Sequence, residues 1–242
     1  MPTSVQAMIF DFDGTLAHLT LDFGVMRRRA MQAAGDALQT MAATPLHALL
    51  PEDDGRPVLE WLELAGSRVA PHCGITARTM IKAAHDAIED VEVEAASRGS
   101  LFPWTRPLLT ELRSRNVPAA VITRNCRKAV LAVFPDLYEY CTCLLAREDV
   151  PKVKPDPDHL LRALAHTGVR PENSMMVGDH PMDIQTGKAG GTLTAAVTSG
   201  NASHAQLAAS APDYLAENCQ ELYEMLWGMR LHCAGNTPKY SA

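Results

Sequence analysis

The stretch AMIFDFDGT, residues 7–15, decides the fold of this chain. Its first four residues form an apolar run, which predicts a short buried strand that ends at Asp11, Asp13 and Gly14. In an extended chain the two carboxylates point the same way, and the glycine lets the backbone turn sharply. One carboxylate of such a pair can act as nucleophile while the other transfers a proton. Taken alone, the pattern is more typical of a calcium loop or a helix cap.

Strands and helices alternate along most of the remaining sequence. Apolar runs predict strands at 119–122, 141–145, 174–177 and 192–197, and helical spacing predicts helices at 107–115, 126–134, 157–168 and 184–189. This alternation is typical of right-handed βαβ crossovers and a parallel sheet covered on both faces.

A helical insert interrupts the series after the first strand. Helical spacing recurs at 23–38, 57–64 and 76–96. We therefore predict an α/β, Rossmann-like domain formed by residues 1–17 and 100–242, with a helical domain at 18–99. The segment from about Gly235 is predicted to be a loose tail.

Composition and charge exclude several classes of protein. The 242 residues carry 22 Lys and Arg against 28 Asp and Glu, a net charge of −6, so no nucleic-acid or anionic-membrane partner is expected. No apolar run approaches the roughly 18 residues of a membrane span, and no basic region precedes the first run as in a signal peptide. The six cysteines include no C-x-x-C pair, and we expect Cys141 and Cys143 to be buried on one face of a strand. A reducing cytoplasm is the expected location.

Four polar residues lie just past predicted strands: Asp11, Asp13, Thr123 and Asp179. Because open α/β sheets bind ligands at the carboxyl ends of their strands, we expect these side chains to meet at one edge. Carboxylates suit Mg²⁺, which binds one or two of them together with substrate phosphate, and Asp183 adds another acid. Each fragment alone also fits a capped turn or a helix N-cap.

Two lysines stand before prolines, at Lys152 and Lys154. A lysine can neutralise a phosphate and a carboxylate at once, as a compact point charge. The alternative is a solvated charged loop, which we favour for Lys152. In a chain of net negative charge, an anionic ligand needs such a placed cation or a bound metal.

Together these motifs resemble the haloacid dehalogenase (HAD) superfamily. They are DFDGTL at 11–16, Thr123, KPDP at 154–157 and GDxxxD at 178–183, in that order. Within the superfamily the chain is similar to the phosphoglycolate-phosphatase-like branch, whose helical cap is inserted between the first and second motifs. The resemblance extends over the whole chain apart from the tail. It implies a HAD core, a cap domain and phosphoryl transfer through an aspartyl-phosphate, with Mg²⁺ as cofactor.

The resemblance also implies a role for each site residue. Asp11 would attack phosphorus, and Asp13 would protonate the leaving alcohol and then activate water. The implied substrate-binding residues are Thr123, Arg124, Asn125 and Lys154. The implied metal site consists of Asp11, Asp13 through its backbone carbonyl, Asp179 and Asp183, the last of which orders the metal's water shell.

The acid at position 13 limits the range of reactions that the resemblance implies. The resemblance implies Tyr at this position in the dehalogenases and Ala in the phosphonate-cleaving branch. An Asp at position 13 therefore favours a phosphatase or a phosphomutase. We predict a Mg²⁺-dependent phosphatase of a small phosphorylated metabolite, a phosphoglycolate-like monoester, acting as a monomer or homodimer. A phosphomutase is the alternative within the superfamily. A non-catalytic regulatory protein of the same fold is less favoured, because such proteins usually lose the nucleophile or the metal-binding acid.

Charged residues of the helical insert are candidates for holding the non-phosphate end of the substrate. They are His18, Asp22, Arg27, Arg28, Arg29, His72 and Arg78. An arginine fork would suit a substrate carboxylate. Since three adjacent arginines point in different directions around a helix, we expect most of them to be solvated.

Overall fold

A computed structural model describes residues 5–41 and 46–231, so the tail predicted from Gly235 lies outside the described residues. The strands are β1 (Ala7–Phe10), β2 (Ala17–His18), β3 (Ser100–Leu101), β4 (Ala119–Ile122), β5 (Cys143–Leu145), β6 (Ser174–Gly178), β7 (Leu193–Val197) and β8 (Tyr214–Ala216). The helices are α1 (Phe23–Met41), α2 (Val58–Val69), α3 (Gly74–Ala96), α4 (Thr105–Ser114), α5 (Arg127–Val133), α6 (Leu137–Tyr140), α7 (Pro157–Thr167), α8 (Pro181–Gly190), α9 (His204–Ala209) and α10 (Cys219–Trp227).

Six of the strands form one parallel sheet in the order β5-β4-β1-β6-β7-β8. β1 lies inside it, with Phe10 opposite Val121 of β4 and Val177 of β6. All four residues of β1 are buried, as in a parallel sheet covered on both faces. The residues that follow β1, β4 and β6 are therefore neighbours at the carboxyl edge. The predicted α/β fold with a parallel sheet is confirmed.

The helix α7 covers part of this sheet, and local signals fix its ends. The Asp156 side chain accepts a hydrogen bond from the Asp158 N–H at 2.9 Å, and Pro157 occupies the first turn, where no N–H is needed. Gly168 adopts the left-handed conformation, with φ of 70°, and ends the helix. The apolar face of α7, which includes Leu160, joins a core cluster with Ile9 of β1 and neighbouring strand residues.

The strand predicted at 141–145 is shorter than expected. The Cys141 N–H donates to the Leu137 carbonyl at 2.9 Å, which ends α6, so Cys141 is not a strand residue. Sheet pairing starts where the Thr142 N–H donates to the Ala119 carbonyl at 2.8 Å. The prediction of two cysteines on one strand face is therefore wrong, although both are buried and free as expected.

The chain divides into two compact units, which we call the helical unit (Thr20–Ala95) and the α/β unit (up to Leu19 and from Ala96 onward). The helical unit has its own core, in which Trp61 is buried and its indole N–H donates to the Pro51 carbonyl at 3.1 Å. In the α/β unit, β2 and β3 form a separate antiparallel pair. None of the described helices combines the length and apolar character needed to cross a membrane.

Candidate active site

Two aspartates follow the strand β1. Asp11 continues the sheet pairing, since its N–H donates to the Val177 carbonyl at 2.9 Å. The Asp13 carboxylate accepts a hydrogen bond from the Leu19 N–H at 2.8 Å, which closes the turn. Gly14 has φ of 84°, and a Cβ there would overlap the Asp179 carboxylate. The turn thus requires glycine at position 14 both for its conformation and for space.

Lys154 lies buried between two of the acids. Its Nζ is 2.6 Å from Oδ1 of Asp11 and 2.6 Å from Oδ1 of Asp183, with 3% of the side chain exposed. Burial alone would lower the pKa of Lys154, but attraction to the two carboxylates prevails and holds the pKa above its usual value. The ammonium group is therefore charged at neutral pH. Lys152, by contrast, is exposed and pairs with Asp156 at 3.2 Å, as expected for a solvated loop.

Three carboxylates converge on one point beside Lys154. Asp11, Asp179 and Asp183 each offer one oxygen, and these oxygens lie within 4.8 Å of one another. Burial, followed by the charges of Asp11 and Asp183, raises the pKa of Asp179 well above its usual value. One lysine cannot balance three acids, and hard oxygen ligands at this spacing fit a divalent cation such as Mg²⁺. The residues present are therefore compatible with the metal that the sequence predicts.

The Asp13 carboxylate does not belong to this cluster. Among the described residues, the group that could hold a metal at this edge contains the other three aspartates, so a metal role for Asp13 depends on its backbone carbonyl and stays a prediction. Burial, with a smaller contribution from the charge of Asp11, raises the pKa of Asp13 to about 7, although the Leu19 N–H lowers it. A carboxyl group with this pKa can both donate and accept a proton near neutral pH.

The residues after β4 form a turn at the same edge. The Thr123 N–H donates to the Leu145 carbonyl at 3.1 Å, and its hydroxyl oxygen accepts from the Asn125 N–H at 3.1 Å. The Thr123 and Asn125 side chains are both buried. A hydroxyl that accepts one hydrogen bond can still donate its own hydrogen. Arg124 extends toward Met182, with Nη1 3.3 Å from the sulfur. The structure thus brings Thr123 to the edge where Asp11 lies, while substrate contacts of Thr123, Arg124 and Asn125 stay predictions.

Two arginines of the helical unit have partners within that unit. Arg27 binds the Asp53 carboxylate and the Arg56 carbonyl. Arg29 lies 3.4 Å from Glu94. A substrate-binding role for the charged residues of the insert stays a prediction.

The sequence did not single out His159 or the loop after β7. His159 is fully buried, with Nε2 3.0 Å from the Leu145 carbonyl, and the Lys154 N–H donates to its Nδ1 at 3.4 Å. These partners assign the proton to Nε2, so the imidazole is neutral. The loop after β7 contacts Gly14 and Asp179.

His159 should make the stability of the protein depend on pH. Burial lowers the pKa of His159 to about 4, against 6.5 as its ordinary value, so the unfolded chain binds more protons between these pH values. The contribution of the neutral imidazole to the free energy of unfolding is fully present above pH 6.5. It falls by about 3 kcal/mol as the pH decreases toward 4. Chemical unfolding should show that the stability deficit of His159→Gln is largest at pH 7 and shrinks toward pH 4. A deficit that stays constant over this range would contradict a buried neutral imidazole.

A family model of haloacid dehalogenase-like hydrolases matches residues 5–191, which include all the motifs of the site. The chain belongs to this family, as the motifs predicted. Phosphoglycolate phosphatase from Photorhabdus laumondii is 26% identical over 226 residues, which cover 90% of this chain and 91% of that protein. Pyrophosphatase PpaX from Bacillus cereus is 33% identical over 121 residues, which cover 49% and 56%. The crystal structure of a candidate beta-phosphoglucomutase from Thermotoga maritima has the same fold, with a TM-score of 0.55 at 21% identity over 91% of this chain and 98% of that one.

Proposed function

We propose that the protein is a Mg²⁺-dependent phosphatase that hydrolyses a small phosphorylated metabolite, a phosphoglycolate-like monoester, through an aspartyl-phosphate. The observation that carries this proposal is the surroundings of Asp11, whose carboxylate is 2.6 Å from a buried lysine and within 4.8 Å of two further acids. The similarity to a phosphoglycolate phosphatase over most of both chains supports it.

In the first half of the reaction, a carboxylate oxygen of Asp11 attacks phosphorus. The Asp11 O–P bond forms as the bond from phosphorus to the ester oxygen breaks, and the protonated Asp13 carboxyl gives its proton to the leaving alkoxide. Lys154 lies against Asp11 and offsets the repulsion between two anions. The Thr123 hydroxyl and the amide that follows it hold the phosphoryl oxygens.

In the second half, Asp13 acts as a base. Its carboxylate removes a proton from water, the water oxygen bonds to phosphorus, and the Asp11 O–P bond breaks to release inorganic phosphate. Asp13 can serve in both halves because its pKa lies near neutrality. A bound Mg²⁺, held by Asp11, Asp179 and the Asp13 carbonyl with Asp183 nearby, would supply positive charge against the phosphoryl oxygens.

Removal of Mg²⁺ should abolish the activity. We expect phosphate release from at least one member of a panel of monoesters that includes phosphoglycolate, with pyrophosphate added because of the Bacillus cereus relative. Chelation should lower the rate at least about 100-fold, because the metal contributes several kcal/mol of charge stabilisation, and added Mg²⁺ should restore it. A protein that binds Mg²⁺ but releases phosphate from no panel member would instead be a non-catalytic member of the family.

A phosphomutase is the second candidate, because an acid at position 13 suits both reactions. A mutase protects its phosphoenzyme from water and passes the group to a second hydroxyl of the substrate. Following a sugar phosphate by ³¹P NMR separates the two: free phosphate in step with substrate loss supports the phosphatase, and an isomer without free phosphate supports the mutase.

We also infer the setting of this activity. Among the residues that the structure describes, no two cysteines form a disulfide, which supports a reducing cytoplasm. The proposed partner is a small phosphorylated metabolite, with no nucleic acid or membrane, and the proposed assembly is a monomer or homodimer. Residues 18–99 are proposed to be the cap domain that the resemblance implies.

A further inference from the structure

We propose that the loop after β7, residues 198–201, positions the metal-binding carboxylate of Asp179 and the turn that carries Asp13, with Ser199 as a positioning residue. The loop lies outside the motifs that identify the family. The inference deepens the proposed function and rests on it for the identity of the metal, Mg²⁺.

The first contact of the loop is with the catalytic turn. The half-buried Ser199 hydroxyl donates to the Gly14 carbonyl at 2.7 Å. Gly14 directly follows Asp13, so this hydrogen bond fixes the peptide next to the carbonyl that is proposed to face the metal. In the sheet, β6 lies between β1 and β7, so these two strands do not pair with each other. The Ser199 hydroxyl therefore joins the turn after β1 to the loop after β7.

The second contact encloses Asp179. The Asn201 N–H donates to Oδ2 of Asp179 at 3.3 Å. A Cβ added at Gly200 or at Gly14 would overlap the Asp179 carboxylate, so two glycines enclose this side chain from different segments. At Gly200 the backbone φ is not in the left-handed region, and the requirement for glycine is one of space.

These contacts restrict the orientation of the Asp179 carboxylate before a metal binds. A ligand held in place by its neighbours loses less conformational freedom on binding, and removing such neighbours typically weakens metal affinity about 10- to 100-fold. The loop itself has no proposed contact with the phosphoryl group, so it acts through Asp179 and Gly14.

The test is the Mg²⁺ affinity of the full chain, measured by calorimetry without substrate. Ser199→Ala should raise the Kd for Mg²⁺ about 10-fold, and Ser199→Thr, which keeps the hydroxyl, should largely restore it. Ser174→Ala is the matched control. Its hydroxyl also donates to a backbone carbonyl, that of Arg170 at 2.9 Å, but at the opposite end of β6. That variant should keep the wild-type Kd.

Two variants of Asn201 test whether its backbone N–H or its side chain affects Mg²⁺ binding. Asn201→Pro removes the N–H that binds Asp179 and should weaken Mg²⁺ binding, whereas Asn201→Ala keeps that N–H and should not. Gly200→Ala should raise the Kd about 100-fold, because its Cβ displaces the carboxylate. If Gly200→Ala does not fold, the Ser199 and Asn201 pairs decide the matter.

Three results would contradict the proposed positioning role of the loop. They are an unchanged Mg²⁺ Kd in Ser199→Ala, an equal loss in Ser174→Ala, and an equal effect of both Asn201 variants. A wild-type protein that binds Mg²⁺ but hydrolyses no ester would overturn the proposed phosphatase while the Kd values still test the loop. A wild-type protein without affinity for Mg²⁺ would overturn both. In the active enzyme, raised Mg²⁺ concentration should rescue the turnover of Ser199→Ala.

Discussion

Asp11→Asn should lower phosphate release from an aryl phosphate at least about 10⁴-fold, the loss typical when a nucleophile is removed. An amide has nearly the same shape as a carboxylate but does not attack phosphorus, so binding persists and chemistry stops. The variant should remain folded, because Lys154 keeps Asp183 as a buried partner at 2.6 Å. Initial rates with saturating Mg²⁺, together with thermal unfolding, measure both effects.

The control for this variant is Asp86→Asn in the helical unit. Asp86 is exposed and pairs with Lys82 at 2.6 Å, so the same chemical change there should leave the rate unaltered. Retained turnover of Asp11→Asn in a pure sample would rule out an aspartyl-phosphate on Asp11. A parallel loss in Asp86→Asn would mean that the assay reports stability and not chemistry.

Elements with strong local signals could be predicted from the sequence. The strands β1 and β4 have the predicted bounds, because each is a short, wholly apolar run with a neighbouring strand on both sides. The helix α7 also begins as predicted, since Pro157 and Gly168 specify its ends locally. The order of these elements was enough to define a parallel sheet with a functional carboxyl edge.

Elements without a strong apolar run were not predicted, or were predicted with the wrong start. The strand β8 has three residues and is paired only with β7, and α10 begins at an Asn218 cap that has no strong apolar run before it. The helix α8 starts at Pro181, earlier than the predicted Ile184, because the His180 side chain accepts from the Met182 N–H at 3.1 Å. A histidine cap is not a common signal, so periodicity alone placed the start too late.

Within the site, the residues that could be predicted are those that belong to a motif. The sequence supplied the acids and Lys154, whose order along the chain is a strong motif. It did not supply His159 or Ser199, because their partners are backbone carbonyl and amide groups that only the folded chain brings near. A single histidine or serine carries no spacing that would distinguish it from a surface residue.

Lys154→Met should destabilise the protein by about 3 kcal/mol, because it leaves the half-buried Asp11 and the buried Asp183 carboxylates without their cation. Methionine fills a similar volume, so the loss measures charge more than packing. Turnover should also fall, about 10³-fold, since Asp11 and the phosphate would then repel each other without the ammonium between them. Lys152→Met is the matched control, because Lys152 is exposed, and its loss should change neither property appreciably.

The stability deficit of Lys154→Met should also depend on pH. Burial raises the pKa of Asp183 to about 6 while Lys154 lowers it, so removal of the lysine raises that pKa further. When a carboxyl has a higher pKa in the folded than in the unfolded state, the folded protein becomes more stable as the pH falls, because the folded state then binds more protons. The deficit relative to wild type, measured by chemical unfolding without Mg²⁺, should therefore be larger at pH 8 than at pH 5. Equal deficits at the two pH values, or a similar deficit in Lys152→Met, would show that Lys154 contributes through packing and not through its charge.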